Sequence, residues 1–221
     1  MTEVAPAVPQ RAPLPITVIG GYLGAGKTTL LNSLLGRTDR RIGVIVNDFG
    51  ELGIDADLVS SQGGAADVVN LPNGCVCCTL GDDLHETLRM LAELEPLLEH
   101  VVVEASGVAD PAATAAWGTV PPFVPGGTIV LVACDTIRAQ VRDRYVGGEV
   151  RRQIAGADLL VLTKADRCDR DGVARAERLV AELSSAVIVE APWGGLDPDL
   201  VLGPDARGRT GEPSDGPDDA S

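Results

Sequence analysis

A phosphate-binding loop near the start of the chain constrains the fold more than any other feature. Apolar residues 16–19 lead directly into Gly21-x-x-x-x-Gly26-Lys27-Thr28, and the apolar stretch 29–35 that follows is typical of a helix. Glycines let such a loop turn backbone N–H groups toward a phosphate, and the helix N-terminus adds its positive dipole. The pattern predicts a site for a nucleoside triphosphate. The candidate phosphate-binding residues are Gly21, Gly24, Ala25, Gly26, Lys27, Thr28 and Thr29.

Composition limits the choice of partners and compartment. A net charge of −14 argues against nucleic acid or an anionic membrane as a partner. No apolar run approaches the ~20 residues of a membrane span, and residues 1–10 lack the basic start and hydrophobic block of a secretory signal. Three of the five cysteines fall within residues 75–78, which indicates a metal or redox site rather than a disulfide framework. We therefore expect a cytoplasmic protein.

Short β-branched runs alternate with amphipathic stretches along the chain. We expect strands at residues 16–19, 42–46, 100–103, 128–132, 159–162 and 186–189, with a short additional strand near 68–71. We expect helices at residues 28–35, 82–94, 111–116, 148–154 and 173–183, and a loop at 121–127. This alternation predicts a doubly wound, mostly parallel α/β sheet of the P-loop NTPase type, with helices on both faces. We expect a disordered leader over residues 1–14, one domain over 15–202 and an acidic disordered tail over 203–221.

Acidic residues follow two of the expected strands, where ligands of such sheets bind. Asp48 and Glu51 lie just after the second strand, and either could orient a water near the terminal phosphate. Glu104 closes a later strand, the position of the carboxylate that holds Mg²⁺ beside Thr28. Gly107 lets a backbone N–H approach the γ-phosphate. The candidate catalytic residues are Lys27, Asp48, Glu51 and Glu104.

The base of the nucleotide is indicated by Thr163-Lys164-Ala-Asp166, which follows a buried strand. A carboxylate there accepts both the ring N–H and the exocyclic amine of guanine, a pair of donors that adenine does not offer. The lysine stem can cover the purine face. The motif is similar to the Asn-Lys-x-Asp signature of GTPases, with threonine in place of asparagine. It favours GTP over ATP.

Three cysteines form a second unusual cluster, at Cys75, Cys77 and Cys78. Thiols this close together supply soft ligands for Zn²⁺ or another thiophilic ion, and we expect them on a loop that opens with Gly74. Three sulfurs leave one tetrahedral position open, which suits transfer of an ion better than a closed structural site. The cluster therefore favours metal handling.

Together these motifs resemble those of one family, the CobW-type metallochaperone GTPases, which are related to the nickel-insertion GTPases of urease and hydrogenase. The phosphate loop, Asn47-Asp-Phe-Gly-Glu51, Gly74-Cys-Val-Cys-Cys78, Glu104-Ala-Ser-Gly107 and Thr163-Lys-x-Asp166 occur in that family's order, over about residues 16 to 200. The resemblance implies that Cys75, Cys77 and Cys78 bind the metal, Lys27 and Thr28 serve the phosphates and Mg²⁺, and Glu104 holds Mg²⁺. It also implies that GTP binding and hydrolysis switch the metal site between holding and releasing its ion.

The implied protein is a slow GTPase that carries a metal ion, most simply Zn²⁺ with Co²⁺ or Ni²⁺ as alternatives, to an unidentified metalloprotein client. Members of the family usually have a second, C-terminal domain, whereas this sequence ends in an acidic stretch, so we expect the GTPase domain alone. A homodimer is compatible with this class of GTPase. Two other functions stay open: a P-loop kinase acting on a small molecule, with Arg138, Arg142 and Arg144 as its lid, and a non-hydrolytic module for metal storage or redox sensing.

Overall fold

The computed structural model describes residues 12–46, 68–70, 76–79, 84–191 and 195–203. Its strands are β1 Leu14–Gly20, β2 Ile42–Val46, β3 Val68–Asn70, β4 Val76–Thr79, β5 His100–Glu104, β6 Phe123–Ala133, β7 Leu159–Thr163 and β8 Val187–Glu190. Its helices are α1 Lys27–Leu35, α2 Leu84–Ala92, α3 Pro111–Ala115, α4 Ile137–Arg142, α5 Gly147–Ala155, α6 Arg170–Ala181 and α7 Pro198–Leu202. Single turns of 3₁₀ helix occupy Ala116–Thr119 and Ala165–Arg167.

The strands form one sheet in the order β3-β4-β2-β5-β1-β6-β7-β8. All neighbouring strands are parallel except β3, which runs antiparallel to β4. Parallel strands bring their carboxyl ends to one edge, so the segments that follow β1, β2, β5 and β7 meet there. The doubly wound fold class expected from the sequence is confirmed.

Apolar side chains on both faces of the sheet explain why its strands consist of continuous hydrophobic runs. On one face, Leu30 and Leu31 of α1 and Val201 of α7 pack against Ile19 and Val102. On the other, α2 covers the β1–β5 region and α4, α5 and α6 cover β6 and β7. No helix within the described ranges combines the length and apolarity needed to cross a membrane.

All six expected strands are present, and the short strand expected near residues 68–71 is β3. The loop expected at residues 121–127 was wrong, because β6 already begins at Phe123 and pairs there with Leu14 of β1. Proline and glycine suggested a break in the strand. However, β7 pairs with β6 only from Ile129 onward, so at Pro125 one side of β6 has no neighbouring strand that needs a hydrogen-bond donor. The register shift beside it accommodates the glycines.

The cysteine motif was also placed wrongly in a loop. Its residues 76–79 form β4, which pairs in parallel with β2, Val44 opposite Cys77 and Ile45 opposite Cys78. The physical reason is that β2 offers an unpaired edge, and the Val-Cys-Cys-Thr run suits a strand. The sequence also failed to predict α4 and α7, whose five or six residues are too short to show a helical period.

The α7 segment is held to the body of the domain by polar contacts, most of them buried. The Thr17 hydroxyl donates to the Val201 carbonyl at 2.9 Å, so the hydrogen bond of 2.8 Å between Thr17 and His100 is donated by His100 Nε2. Arg40 donates to the Leu202 carbonyl at 3.1 Å and pairs with Asp199 at 2.5 Å. These bonds join β1, β5 and the segment that contains Arg40 to α7.

Candidate nucleotide and metal site

The phosphate loop follows β1 and adopts a conformation that requires glycine. Gly21, Gly24 and Gly26 have φ angles of 133°, 75° and 100°. A Cβ on Gly21 would also lie 2.6 Å from the Leu131 carbonyl oxygen. Gly26 precedes α1 and no side chain caps that helix, so its N-terminal N–H groups face the loop without a side-chain acceptor. The loop thus has the backbone of an anion cradle.

Lys27 is folded back over this loop. Its side chain is 8% exposed, and Nζ donates to the Gly21 carbonyl at 3.0 Å. The bond holds the ammonium group at the mouth of the cradle, where it would meet phosphate oxygens. The sequence contains only two lysines, Lys27 and Lys164, and both lie in nucleotide motifs.

Thr28 and Glu104 meet beside the loop. The Thr28 hydroxyl lies 3.5 Å from Glu104 Oε1, and Glu104 is only 8% exposed at the end of β5. The pairing of Ile19 with Glu104 in the sheet sets this position. A hydroxyl and a carboxylate facing each other are the oxygen ligands that Mg²⁺ prefers, so the residues fit that ion.

The segment after Glu104 packs against the phosphate loop and is anchored from α5. A Cβ on Gly107 would lie 3.0 Å from the Leu23 backbone nitrogen, closer than an ordinary van der Waals contact, so glycine favours this approach. Gln153 Nε2 donates to the carbonyls of Gly107 at 3.3 Å and Ala109 at 2.9 Å. Gln153 was not predicted from the sequence. Its one signal was a polar residue on the buried face of an amphipathic helix, between Val150 and Ile154.

The Thr163–Asp166 motif reaches the same edge. The Thr163 hydroxyl is buried and donates to the Ala25 carbonyl at 2.7 Å. Lys164 has a left-handed backbone, with φ of 55°, and its Nζ would lie 3.9 Å from a Cβ on Gly24. Asp166 is exposed in the 3₁₀ turn that follows. The motif therefore lies beside the phosphate loop, with Lys164 reaching over it.

The remaining predicted residues are only partly described. Asp48, Glu51 and Cys75 lie outside the described residues, whereas Cys77 and Cys78 are placed by their backbone in β4. In the sheet, β2 and β5 separate β4 from β1. At about 4.8 Å per strand, the cysteine strand is ~14 Å from the strand that leads into the phosphate loop. Within the described ranges, no three His, Cys, Asp or Glu side chains cluster as metal ligands.

The fold and the phosphate loop define a nucleotide-binding protein of the P-loop type. A family model described as "CobW/HypB/UreG, nucleotide-binding domain" matches residues 15–189. The chain belongs to this family, as its motifs led us to expect.

Named relatives agree with this assignment. The chain is 34% identical to a zinc chaperone CobW of Sinorhizobium sp, over 86% of this chain and 62% of the relative. It is 35% identical to a zinc chaperone CobW of Pseudomonas aeruginosa, over 89% of this chain and 61% of the relative. The Zn(II)-bound YjiA GTPase from E. coli superposes with a TM-score of 0.68 and 30% identity, over 86% of this chain and 61% of that one. The chain thus spans about three fifths of these relatives' length.

Proposed function

We propose that this protein binds and slowly hydrolyses GTP and uses the nucleotide state to control the binding and delivery of a transition metal, with Zn²⁺ the first candidate. The observation that carries the proposal is the meeting of three motifs at one sheet edge. Thr28 faces Glu104, and Thr163 bonds to the phosphate loop. The cysteine strand belongs to the same sheet, beside β2.

Each described residue of the nucleotide site has a role that follows from its position. The backbone N–H groups around Gly24 and Gly26 hold the phosphates, and Lys27 offsets their charge as it spreads in the transition state. Thr28 and Glu104 would hold Mg²⁺, which would supply positive charge to offset that of the phosphates. Gly107 places a backbone N–H near the γ-phosphate. Gln153 fixes this arrangement by donating a hydrogen bond to the Gly107 carbonyl.

Guanine specificity rests on the segment after β7. Asp166 is exposed and accepts the paired N–H donors of guanine, and Lys164 covers the ring. Asp48 or Glu51 is proposed to orient the attacking water, because both follow β2 next to β5. Arg138 and Arg142, considered above as the lid of a possible kinase, line a groove beside α6. They are therefore not proposed to stabilise the charge on the γ-phosphate, and we propose slow turnover without a partner.

Metal handling is proposed for Cys75, Cys77 and Cys78 from the chemistry of their sulfurs. The names of the two CobW relatives and of the zinc-bound YjiA structure support Zn²⁺ over Co²⁺ and Ni²⁺. The segment between β2 and β3 contains Asp48 and Glu51, and β2, which leads into it, pairs with the cysteine strand β4, so loss of the γ-phosphate has a short route to the metal site. Thiols must stay reduced to bind the ion, so we place the function in the cytoplasm. The ion would pass to a metalloprotein client.

The test is GTP hydrolysis by the reduced protein with Mg²⁺ and no acceptor molecule. We expect phosphate release that Glu104→Gln lowers at least about hundredfold, because one oxygen ligand and its charge are lost. Glu177→Gln, an exposed carboxylate on α6, is the matched control and should hydrolyse GTP like the wild type. GDP formation that requires an added small-molecule acceptor and releases no inorganic phosphate would instead identify a kinase.

A further inference from the structure

A groove lined by four arginines lies between α4 and α6. Arg138 and Arg142 of α4 face Arg175 and Arg178 of α6 across a cavity of about 210 Å³. All four side chains are exposed. The groove shares no residue with the nucleotide site, so it is a separate feature of the surface.

The charge of this groove is opposite to that of the whole chain. The protein has a net charge of −14, yet Glu182 is the one acidic residue among the described residues that line the groove. Arg175 lies 3.6 Å from Asp169. Arg138, Arg142 and Arg178 form no ion pair with another described residue. Among the described residues that line the groove, four arginines and one glutamate leave an excess of positive charge.

The spacing of these arginines places like charges next to each other on each helix. Arg138 and Arg142 are four residues apart on one helix, and Arg175 and Arg178 are three apart on the other. Like charges at these spacings repel each other and destabilise a helix. Packing does not require the guanidinium groups, since Val141 and Leu179 supply the apolar contacts beneath them. An anion bound between the helices would remove the repulsion.

The shape of the groove selects among anions. Within each helix the Cβ atoms of the two arginines are about 5–6 Å apart. This is close to the ~6.5 Å between the Cα atoms of alternate residues in an extended peptide. Guanidinium groups bind carboxylates through paired hydrogen bonds. Alternate side chains of an extended peptide point to the same side, so acidic residues at alternate positions can all face the groove. A long polyanion such as nucleic acid would instead be repelled by the rest of this acidic surface.

We propose that this groove binds an acidic, extended segment of a partner protein. Carboxylates at alternate positions contact the arginine rows, and the intervening side chains point away from the groove. The docking surface is independent of the proposed GTPase activity.

The probe is a fluorescein-labelled short peptide of alternating glutamate and leucine, titrated with the 221-residue chain and followed by anisotropy. We expect saturable binding that the double variant Arg142→Glu/Arg178→Glu weakens at least about tenfold. The matched control is Arg151→Glu/Arg170→Glu, which changes the net charge equally at exposed arginines outside the groove and should bind like the wild type. Circular dichroism and binding of fluorescent GDP check that both doubles are folded.

Four results would overturn the proposal. They are no binding of the acidic peptide, equal weakening by both double variants, equal binding of a glutamine-leucine peptide, and groove-dependent binding of an oligothymidine in place of the peptide. The chain's own acidic residues are a further possible occupant. If Asp215→Asn/Asp218→Asn/Asp219→Asn bound the peptide more than about tenfold tighter than the wild type, the groove would belong to this chain rather than to a partner.

Discussion

The hydroxyl of Thr163 donates a hydrogen bond of 2.7 Å to the carbonyl oxygen of Ala25 and so joins the end of β7 to the phosphate loop. This contact gives a structural role to the threonine that stands where the GTPase signature has asparagine. A side chain with a hydroxyl is sufficient to hold the base motif against the loop. The departure from the signature therefore leaves the architecture of the site intact.

Removing this hydroxyl should weaken nucleotide binding. Thr163→Val keeps the shape of the side chain but leaves the buried Ala25 carbonyl without this donor, at a cost of ~1–3 kcal/mol. We expect GDP affinity to fall about tenfold in a titration with fluorescent GDP. Thr163→Ser retains the hydroxyl and should bind like the wild type. Equal affinities for the valine and serine variants would show that the contact does not position the site.

A second expectation concerns Gln153, which holds the segment containing Gly107. Gln153→Leu removes the donor to two carbonyls of that segment, so the backbone N–H of Gly107 should lose its fixed position. Because GDP lacks the γ-phosphate, its affinity should change less than twofold, while kcat for GTP falls about tenfold and the preference for GTP analogue over GDP decreases.

The control for Gln153 is Arg151→Leu, at an exposed position on the same helix. It should leave kcat for GTP, the affinity for GDP and the preference for the GTP analogue unchanged. A general loss of folding would lower the affinity for GDP and for the GTP analogue together. That outcome would assign Gln153 a role in stability alone.

Acid should destabilise the protein through His100. This side chain is 3% exposed, and burial, with a smaller effect of Arg40, lowers its pKa to about 4. The unfolded chain has the ordinary value of 6.5 and therefore binds the proton first as the pH falls. The stability associated with neutral His100 is fully present above pH 6.5 and is lost as the pH falls toward 4. At about 1.4 kcal/mol per pH unit, the loss is roughly 3 kcal/mol.

Urea unfolding at several pH values measures this effect. His100→Gln keeps an N–H donor for Thr17 without a titrating group, so its stability should change less than the wild type's between pH 6.5 and 4. Carboxylates titrate in both proteins, and the difference between the two curves isolates the histidine. Parallel curves would contradict the assignment.

The sequence predicted the parts of the fold that depend on local pattern. Residues 16–19 and Gly21–Thr28 form a continuous chemical pattern, and both the strand and the start of α1 follow it. Phe123–Gly127 and Val76–Thr79 were misjudged because their strand character depends on distant partners, β1 and β2, that no local window contains. Packing against another element decided the outcome in both places.

The residues of the candidate site also differ in whether a local pattern or a distant contact determines their role. Thr28 and Glu104 were predicted because a phosphate loop requires an acidic partner at the end of a neighbouring strand. Gln153 was missed because its partners, Gly107 and Ala109, are more than forty residues away and accept through backbone carbonyls. Every residue has a backbone carbonyl, so the residue types in a sequence do not show which carbonyl accepts a side-chain hydrogen bond. Only the fold shows which side chain reaches them.

The thiol of Cys134 should be unreactive in the folded protein. Burial, reinforced by Cys168, Glu190 and Asp135, raises its pKa to about 11. At pH 8 we expect iodoacetamide to modify Cys134 about a hundredfold more slowly in the native protein than in urea, because the thiolate is scarce. Peptide mapping by mass spectrometry gives the rate for each cysteine. Equal rates in the native and unfolded protein would contradict this environment.

Cys134 therefore supplies a control for metal binding. Cys77→Ser/Cys78→Ser should lose tight Zn²⁺ binding, whereas Cys134→Ser should retain it because its thiol is buried outside the motif. The comparison separates the proposed metal site from a general effect of removing a thiol.

The central claim is that nucleotide and metal binding are coupled, and calorimetric titration of the reduced protein tests it most directly. Zn²⁺ is titrated with and without a non-hydrolysable GTP analogue, and the analogue with and without Zn²⁺. Coupling requires both affinities to change by the same factor, which we expect to be about 5- to 150-fold. Affinities for the metal and the nucleotide that are independent of each other would contradict the account.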